Sequence, residues 1–306
     1  MIDVIIPAYN AHDTIMKTLI SINLQTIKDK LNVYIIDDCS DFDYSKEIDL
    51  FSDRFNIKQL KLSENSGPGI ARQFGIDNSD GEYIIFLDSD DLFYDCFSLE
   101  NIYNAITMND FDVAIGVFAE EKNEMRFFYN NHQGCLHGKL YKRKFLEKYD
   151  IKFNNTRSSE DNSFNQLVLL ANPRITYCSD YIYCYKENSN SITRKDPDYK
   201  FDSIKWYIDN MIWAITEGEK RIFNKILIAR LIVSSLGYVY YSYCNNKDLD
   251  CVDKILYWSR ELVDKYKEYE KCLYEHQKIL ILKEYNVSVL NNISFGEFIV
   301  LVNQNS

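Results

Sequence analysis

Tyr83–Asp91 reads YIIFLDSDD. Tyr83, Ile84, Ile85, Phe86 and Leu87 form an apolar run of strand length, suited to a strand buried on both faces of an α/β sheet. Asp88, Asp90 and Asp91 follow at once, and acidic groups packed at a strand end repel one another unless something compensates them. Asp88 and Asp90 are two apart, so in extended backbone both point to one side. Two hard oxygen ligands on one side suit Mg2+ or Mn2+, either of which keeps open positions for phosphate oxygens. The plainer reading is a solvated turn, and it wins for such a motif standing alone. Its place at the carboxyl end of a buried strand argues for the metal.

Alternation of strand and helix surrounds this stretch. Val4–Ile6 reads as a strand ended by Pro7-Ala8-Tyr9-Asn10, and Thr14–Leu24 as a helix with His12 or Asp13 near its cap. Val33–Ile36 is a second strand closed by Asp37-Asp38-Cys39-Ser40, and Ile57–Leu62 a third. Asn65–Gly75 is a glycine-rich turn opening a helix, and Asp80-Gly81 a turn before the Tyr83 strand. Asp112–Val117, Arg126–Tyr129, Ile175–Cys178 and Tyr181–Tyr185 are further strand candidates. Gly138–Tyr149 and Asn162–Leu170 read as helices. The pattern predicts a doubly wound, mostly parallel α/β sheet, whose ligands sit beyond the carboxyl ends of the strands. Past Pro197 helical periods take over through about residue 285. The expected division is therefore a catalytic domain over 1–197 and a helical subdomain over 198–306.

A chain of 306 residues can bury a full core, and its formal charge of −11 argues against wrapping nucleic acid. The 8 Cys show no zinc spacing and read as reduced thiols of a cytoplasmic protein. Met1 runs directly into a strand, so no signal peptide is expected, and no apolar run is expected to span a membrane.

Taken in order, five segments resemble the inverting, family 2 type of GT-A glycosyltransferase. They are Pro7-Ala8-Tyr9-Asn10, Asp37-Asp38-Cys39-Ser40, Asn65–Gly75, Leu87-Asp88-Ser89-Asp90-Asp91 and Ser159-Glu160-Asp161. The resemblance covers about residues 1–195 and stops at the helical tail. It implies a GT-A nucleotide-binding fold holding a UDP-sugar donor through Mn2+ or Mg2+. By resemblance Pro7, Ala8 and Tyr9 line the base and ribose pocket, and Asp38 accepts the imide N–H of uracil. Arg72 faces base or phosphate, although an arbitrary arginine there is more simply a surface helix charge. Asp88 contacts ribose or metal with Ser89 beside it, and Asp90 coordinates the metal. Asp91 is as well suited to capping the next helix as to a ligand role. Asp161 is the expected general base, with Glu160 near the acceptor; the plainer alternative makes Ser159 or Asp161 an ordinary helix cap. His137 would touch donor phosphate or acceptor, and Lys186 or Arg194 would screen the diphosphate from a closing loop. Thr193 and Arg194 stand where many relatives carry a metal-binding histidine.

The tail carries no motif. Its Tyr, Leu and Ile read most simply as a helical core. Lys220, Arg221, Lys225 and Arg230 would meet anionic lipid in a peripheral membrane contact, and a homo-oligomer interface is a third reading. Tyr238, Tyr240, Tyr241 and Tyr243 suit stacking on sugar rings as well as core packing. The function expected is transfer of a sugar to a hydroxyl acceptor on a glycan or cell-surface polymer. The rivals are transfer to a modified base in DNA, a catalytically silent sugar-nucleotide or glycan-binding protein, and a nucleotidyltransferase. The last lacks a basic glycine-rich loop at Pro7–Asn10.

Overall fold

The computed structural model describes residues 1–122, 125–130, 134–156, 158–186, 199–245, 249–283 and 293–304. It separates into two compact units: Met1–Asp161 with Asn172–Asn190, and Asn162–Ala171 with Ser191–Ser306.

The first unit is built on β1 (Ile2–Ala8), α1 (Ile15–Asn23), β2 (Leu31–Asp37), α2 (Ser45–Asp49), β3 (Asn56–Lys61), α3 (Pro68–Asp77) and β4 (Tyr83–Phe86). After these come β5 (Leu92–Phe93), α4 (Ser98–Thr107), β6 (Val113–Lys122), β7 (Met125–Tyr129), β8 (Lys139–Lys142), α5 (Arg143–Lys148), the start of α6 (Glu160–Leu170), of which only Glu160 and Asp161 lie in this unit, and β9 (Ile175–Tyr185). The strands lie in the order β3-β2-β1-β4-β8-β6-β9-β5, with β7 beside β6. The first four run parallel, Val4 lying opposite both Val33 and Ile85. Beyond β4 the sheet is mixed: β8 is antiparallel to β4 and β6, whereas β6 and β9 are parallel. All seven residues of β1 and of β2 are buried, the polar Asp3, Asn32 and Asp37 among mostly apolar neighbours. Gly75 lets α3 settle on this sheet, since a Cβ there would lie 2.5 Å from Ile5 Cγ2.

The expected helix over Gly138–Tyr149 is corrected. Lys139–Lys142 is a strand, and only Arg143–Lys148 is helical. Ile84 pairs with Tyr141 and Val113 with Tyr141 from the other side, so partners remote in sequence override a helical local pattern. Helix α5 then delivers Arg143 to Asp3, a buried ion pair at 2.7 Å whose carboxylate also accepts from the Gly81 N–H at 2.6 Å and Asn32 at 2.9 Å. Breaking such a satisfied buried pair typically costs about 3–5 kcal/mol. It locks the start of β1 to the turn before β4. At α1 the N-cap is Thr14, with Asp13 immediately before it.

The second unit contains the body of α6 together with α7 (Tyr199–Lys220), α8 (Lys225–Asn245), α9 (Leu249–Trp258), α10 (Arg260–Tyr269), α11 (Glu275–Lys283) and α12 (Phe295–Gln304). Ile208, Met211 and Ile215 of α7 pack with Ile232, Leu236 and Val239 of α8, Leu262 and Val263 of α10, and Phe298 of α12. Helix α8 is long and apolar enough to cross a membrane by length and composition, contrary to expectation, but 56% of its most apolar window is buried within the chain. The tyrosines sort accordingly. Tyr240 is buried against Phe298, Tyr238 meets Tyr207 and Tyr243 meets Phe298, while Tyr241 is exposed.

Candidate active site

The carboxyl ends of β1, β2 and β4 meet one edge of the first unit, and three loops join there. Asn10, at φ 50°, gives its N–H to Ser40 Oγ (2.9 Å) and accepts the Asp41 N–H (3.0 Å), tying the loop after β1 to the loop after β2. Pro7 and Ala8 are buried within β1, which leaves Tyr9 as the exposed member of that trio. Asp38 is buried, and its two oxygens accept the N–H groups of Ser66 and Gly67 at 2.8 Å each. A carboxylate has about four acceptor positions, so two stay open to a further donor. Gly67, at φ 89°, adopts a backbone conformation that suits glycine, and Pro68 follows as the first residue of α3. Asp38 thus sets where α3 begins.

One turn into α3 stands Arg72, buried and bridging. Its Nη2 lies 2.7 Å from Asp88 Oδ1 and its Nη1 2.7 Å from Glu160 Oε1. Burial works against the guanidinium charge, yet Asp88 and Glu160, with Asp161 adding to them, raise its pKa above the ordinary value. Burial likewise pushes the Asp88 carboxyl up, but Arg72 and then His137 hold it below the usual carboxylate range. Glu160 approaches this closely because residue 69 is glycine: a Cβ there would stand 2.8 Å from Glu160 Cγ and 3.2 Å from the Asn154 carbonyl. Glu160 and Asp161 occupy the first turn of α6 rather than preceding it. Asp161 is half-buried and its charge acts on Lys139 as well as Arg72. Burial drives the Lys139 ammonium down to about 8, with Cys135 and Asp161 opposing that fall.

On the far side of Asp88 lies a buried group of aromatic and acidic residues that the sequence did not announce. Tyr183 donates its hydroxyl to Asp91 Oδ2 (2.6 Å), the Asp88 N–H donates to the Tyr183 oxygen (3.2 Å), and the Lys186 N–H donates to Asp91 Oδ1 (2.8 Å). Thr18 of α1 reaches the carbonyls of Ser89 (3.1 Å) and Asp91 (2.9 Å), pinning the acidic turn from behind. Asp91 caps no helix, since the strand residues Leu92–Phe93 follow it. His137 stacks on Tyr183 (centroids 4.5 Å apart) and Tyr185 (5.2 Å), and its Nε2 is 4.0 Å from Asp88 Oδ2.

Donor atoms of Asp88, Asp91 and His137 all lie within 4.8 Å of one another. Burial, then Asp88 and Asp90, holds the Asp91 carboxyl well above the usual range. Two carboxyl groups and an imidazole this close fit a divalent cation, and the nitrogen ligand favours manganese over magnesium. Asp90 and Ser89 are half-buried on the same turn. Arg194 and Thr193 lie outside the described residues.

Known proteins bear on this arrangement. The family model described as glycosyl transferase family 2 matches residues 3–164, which span all of these described groups except Tyr183, Tyr185 and Lys186. The chain is 27% identical over 223 residues to glycosyltransferase GlyA of Streptococcus pneumoniae, covering 63% of this chain and 31% of that protein. It is 28% identical over 199 residues to the poly(ribitol-phosphate) beta-N-acetylglucosaminyltransferase TarS of Staphylococcus aureus, covering 60% and 35%. The chain therefore spans about a third of the length of these curated relatives. In fold it is similar to residues 1–349 of S. aureus TarS crystallised with UDP-GlcNAc. The TM-score is 0.75 at 17% identity, with 99% of this chain and 90% of that one covered.

Proposed function

The chain belongs to glycosyl transferase family 2, and on that premise we propose that it transfers a sugar from a UDP-sugar to a hydroxyl of a polyol-phosphate or glycan polymer, with inversion at C1. The observation that carries this reading is the Asp88–Arg72–Glu160 bridge. It links the acidic turn after β4, where a donor would sit, to the α6 turn that presents Asp161, across a sequence gap of more than 70 residues. The relative named for poly(ribitol-phosphate) supports a polymer acceptor, and the UDP-GlcNAc complex of a structure with this fold supports a uridine nucleotide.

In this reading Tyr9 packs on the base and Asp38 receives the uracil imide through its open acceptor positions. Ser89 and Asp88 face the ribose. Asp161, half-buried beside two buried cations, takes the proton of the acceptor hydroxyl as its oxygen attacks C1. Glu160 is spoken for by Arg72, which makes it a positioning residue for Asp161. Mn2+ or Mg2+, when bound, would neutralise charge on the departing diphosphate, and Asp88, Asp91 and His137 would hold it, with Asp90 the neighbouring charge. The Lys186 backbone N–H holds Asp91, while its ammonium is paired with Glu121. Residues 1–197 would carry this chemistry and 198–306 form a helical subdomain. All eight cysteines are free thiols, in keeping with a reducing, cytoplasmic setting.

The test is a donor panel of UDP-GlcNAc, UDP-glucose, UDP-galactose and GDP-mannose with Mn2+ and a poly(ribitol-phosphate) acceptor. Nucleotide release and the anomeric configuration of the product are read together. UDP release with an inverted linkage is expected. Release from GDP-mannose alone, retention at C1, or donor binding without any release would each overturn the reading.

A further inference from the structure

The corner between α7 and α8 departs from its local chemistry. The Phe223 N–H donates to the Gly218 carbonyl (2.9 Å) and the Ile222 N–H to the Glu219 carbonyl (3.0 Å), the paired bonds of a Schellman helix end. That motif places one residue in the left-handed region, normally glycine or asparagine, and here the residue is Ile222 at φ 56°. A β-branched side chain is disfavoured there. Packing does not compensate, because Ile222 is 90% exposed. The closure of the corner comes from its neighbours: Phe223 is half-buried against the helical core, and Asn224 Oδ1 accepts the Ile226 N–H (2.9 Å) to cap α8. Ile222 therefore contributes neither to the turn nor to the core. Ile226, four residues on, is 50% exposed.

Charge singles out the same corner. Residues 220–230 contain Lys220, Arg221, Lys225 and Arg230 and no acid, in a chain of formal charge −11. Glu217 pairs with Lys220 (2.7 Å) and with Arg221. Lys225 and Arg230 are exposed and make no ion pair among the described residues. Single exposed isoleucines are ordinary. An isoleucine held in an unfavourable conformation, at a tip flanked by cations, on an acidic protein, is not.

Two isoleucines bury far too little for a specific protein interface, which takes on the order of 800 Å² from each partner. A bilayer surface needs no such shape match. We propose that the α7–α8 corner docks on an anionic lipid bilayer, Ile222 entering the headgroup–acyl boundary while Lys220, Lys225 and Arg230 meet lipid phosphates. An acidic chain is repelled by such a surface except at a local cationic site, and this corner is such a site. The proposal does not rest on the sugar-transfer reading.

Co-sedimentation of the full chain with vesicles tests it, using phosphatidylcholine alone and phosphatidylcholine mixed with phosphatidylglycerol. The chain is expected to pellet with the mixed vesicles, less so as salt is raised, and to stay in solution with the neutral ones. Lys225→Gln and Arg230→Gln should each lower the partition coefficient about fivefold. Ile222→Gly should also lower it while holding or raising the melting temperature, because glycine relieves the left-handed backbone. That opposition between stability and binding is not what a folding defect produces. No pelleting with mixed vesicles, equal pelleting with neutral ones, or an Ile222→Gly variant that binds like wild type would each overturn the proposal.

Discussion

Replacing Arg72 with methionine keeps the apolar stem and removes the guanidinium that joins Asp88 to Glu160. The two carboxylates left behind are unequal. The Asp88 side chain is 30% exposed and can be hydrated, whereas that of Glu160 is 8% exposed. Removing one member of a buried pair costs about 3–5 kcal/mol, and because only Glu160 loses its cation in a dry setting, the lower end, about 3 kcal/mol, applies. For a unit of this size, 1 kcal/mol shifts the melting temperature by roughly 2–4 °C, so a drop of about 6–12 °C is expected. Denaturant unfolding of wild type, Arg72→Met, Glu160→Gln and the double variant measures the coupling directly. The double variant should lie well above the sum of the single losses, since glutamine without the arginine leaves no buried charge. Arg72→Lys should fall between, a single ammonium being unable to span both carboxylates as the guanidinium fork does. An Arg72→Met variant within about 0.5 kcal/mol of wild type, or strict additivity in the cycle, would refute the bridge as the link between the two halves of the site.

Three further outcomes follow from named groups. Asp91→Asn and His137→Ala should weaken Mn2+ binding, followed by the paramagnetic signal of the free ion, more than Asp90→Asn does; equal binding in all four proteins would remove the proposed ligand set. Gly69→Ala should cut turnover without lowering helix content, because the new Cβ presses on Glu160 and the fixed Asn154 carbonyl; full activity would show that α3 and α6 need not approach so closely. Burial pushes the Cys178 and Cys184 thiols up to about 11, so the folded chain holds those protons longer than the unfolded one. Their stabilising contribution is full below pH 9 and is lost as pH rises towards 11. Cys184→Ala should flatten the fall in melting temperature across that window, and an unchanged fall would contradict it.

The part of the fold written in local pattern was legible. Apolar runs marked β1, β2 and β4, and Asn65–Gly75 marked the turn and start of α3, because glycine and proline act through their own backbone. The acidic turn was legible as chemistry for the same reason. What depended on remote partners was not. Lys139–Lys142 is too short to show a period, and its strand state comes from β4 and β6. The Asp3–Arg143 pair joins positions 140 apart, and no spacing rule announces it. Asp91 looked like a cap or a ligand from its neighbours alone, whereas its hydrogen-bond partners, Tyr183 and Lys186, lie more than 90 residues downstream. Arg72 illustrates both sides. Its helix was evident, but only the fold shows that it holds Asp88 and Glu160 together.

Under the proposed function Asp161 acts as the base of a sugar transfer. Asp161→Asn keeps the side chain's shape and a hydrogen-bonding oxygen while removing its basicity. Turnover, UDP-sugar affinity and melting temperature measured on one preparation isolate that change. Near-wild-type affinity and melting temperature are expected, with turnover lower by on the order of 10²–10⁴-fold. Turnover within a few fold of wild type, with folding and donor binding intact, would contradict it.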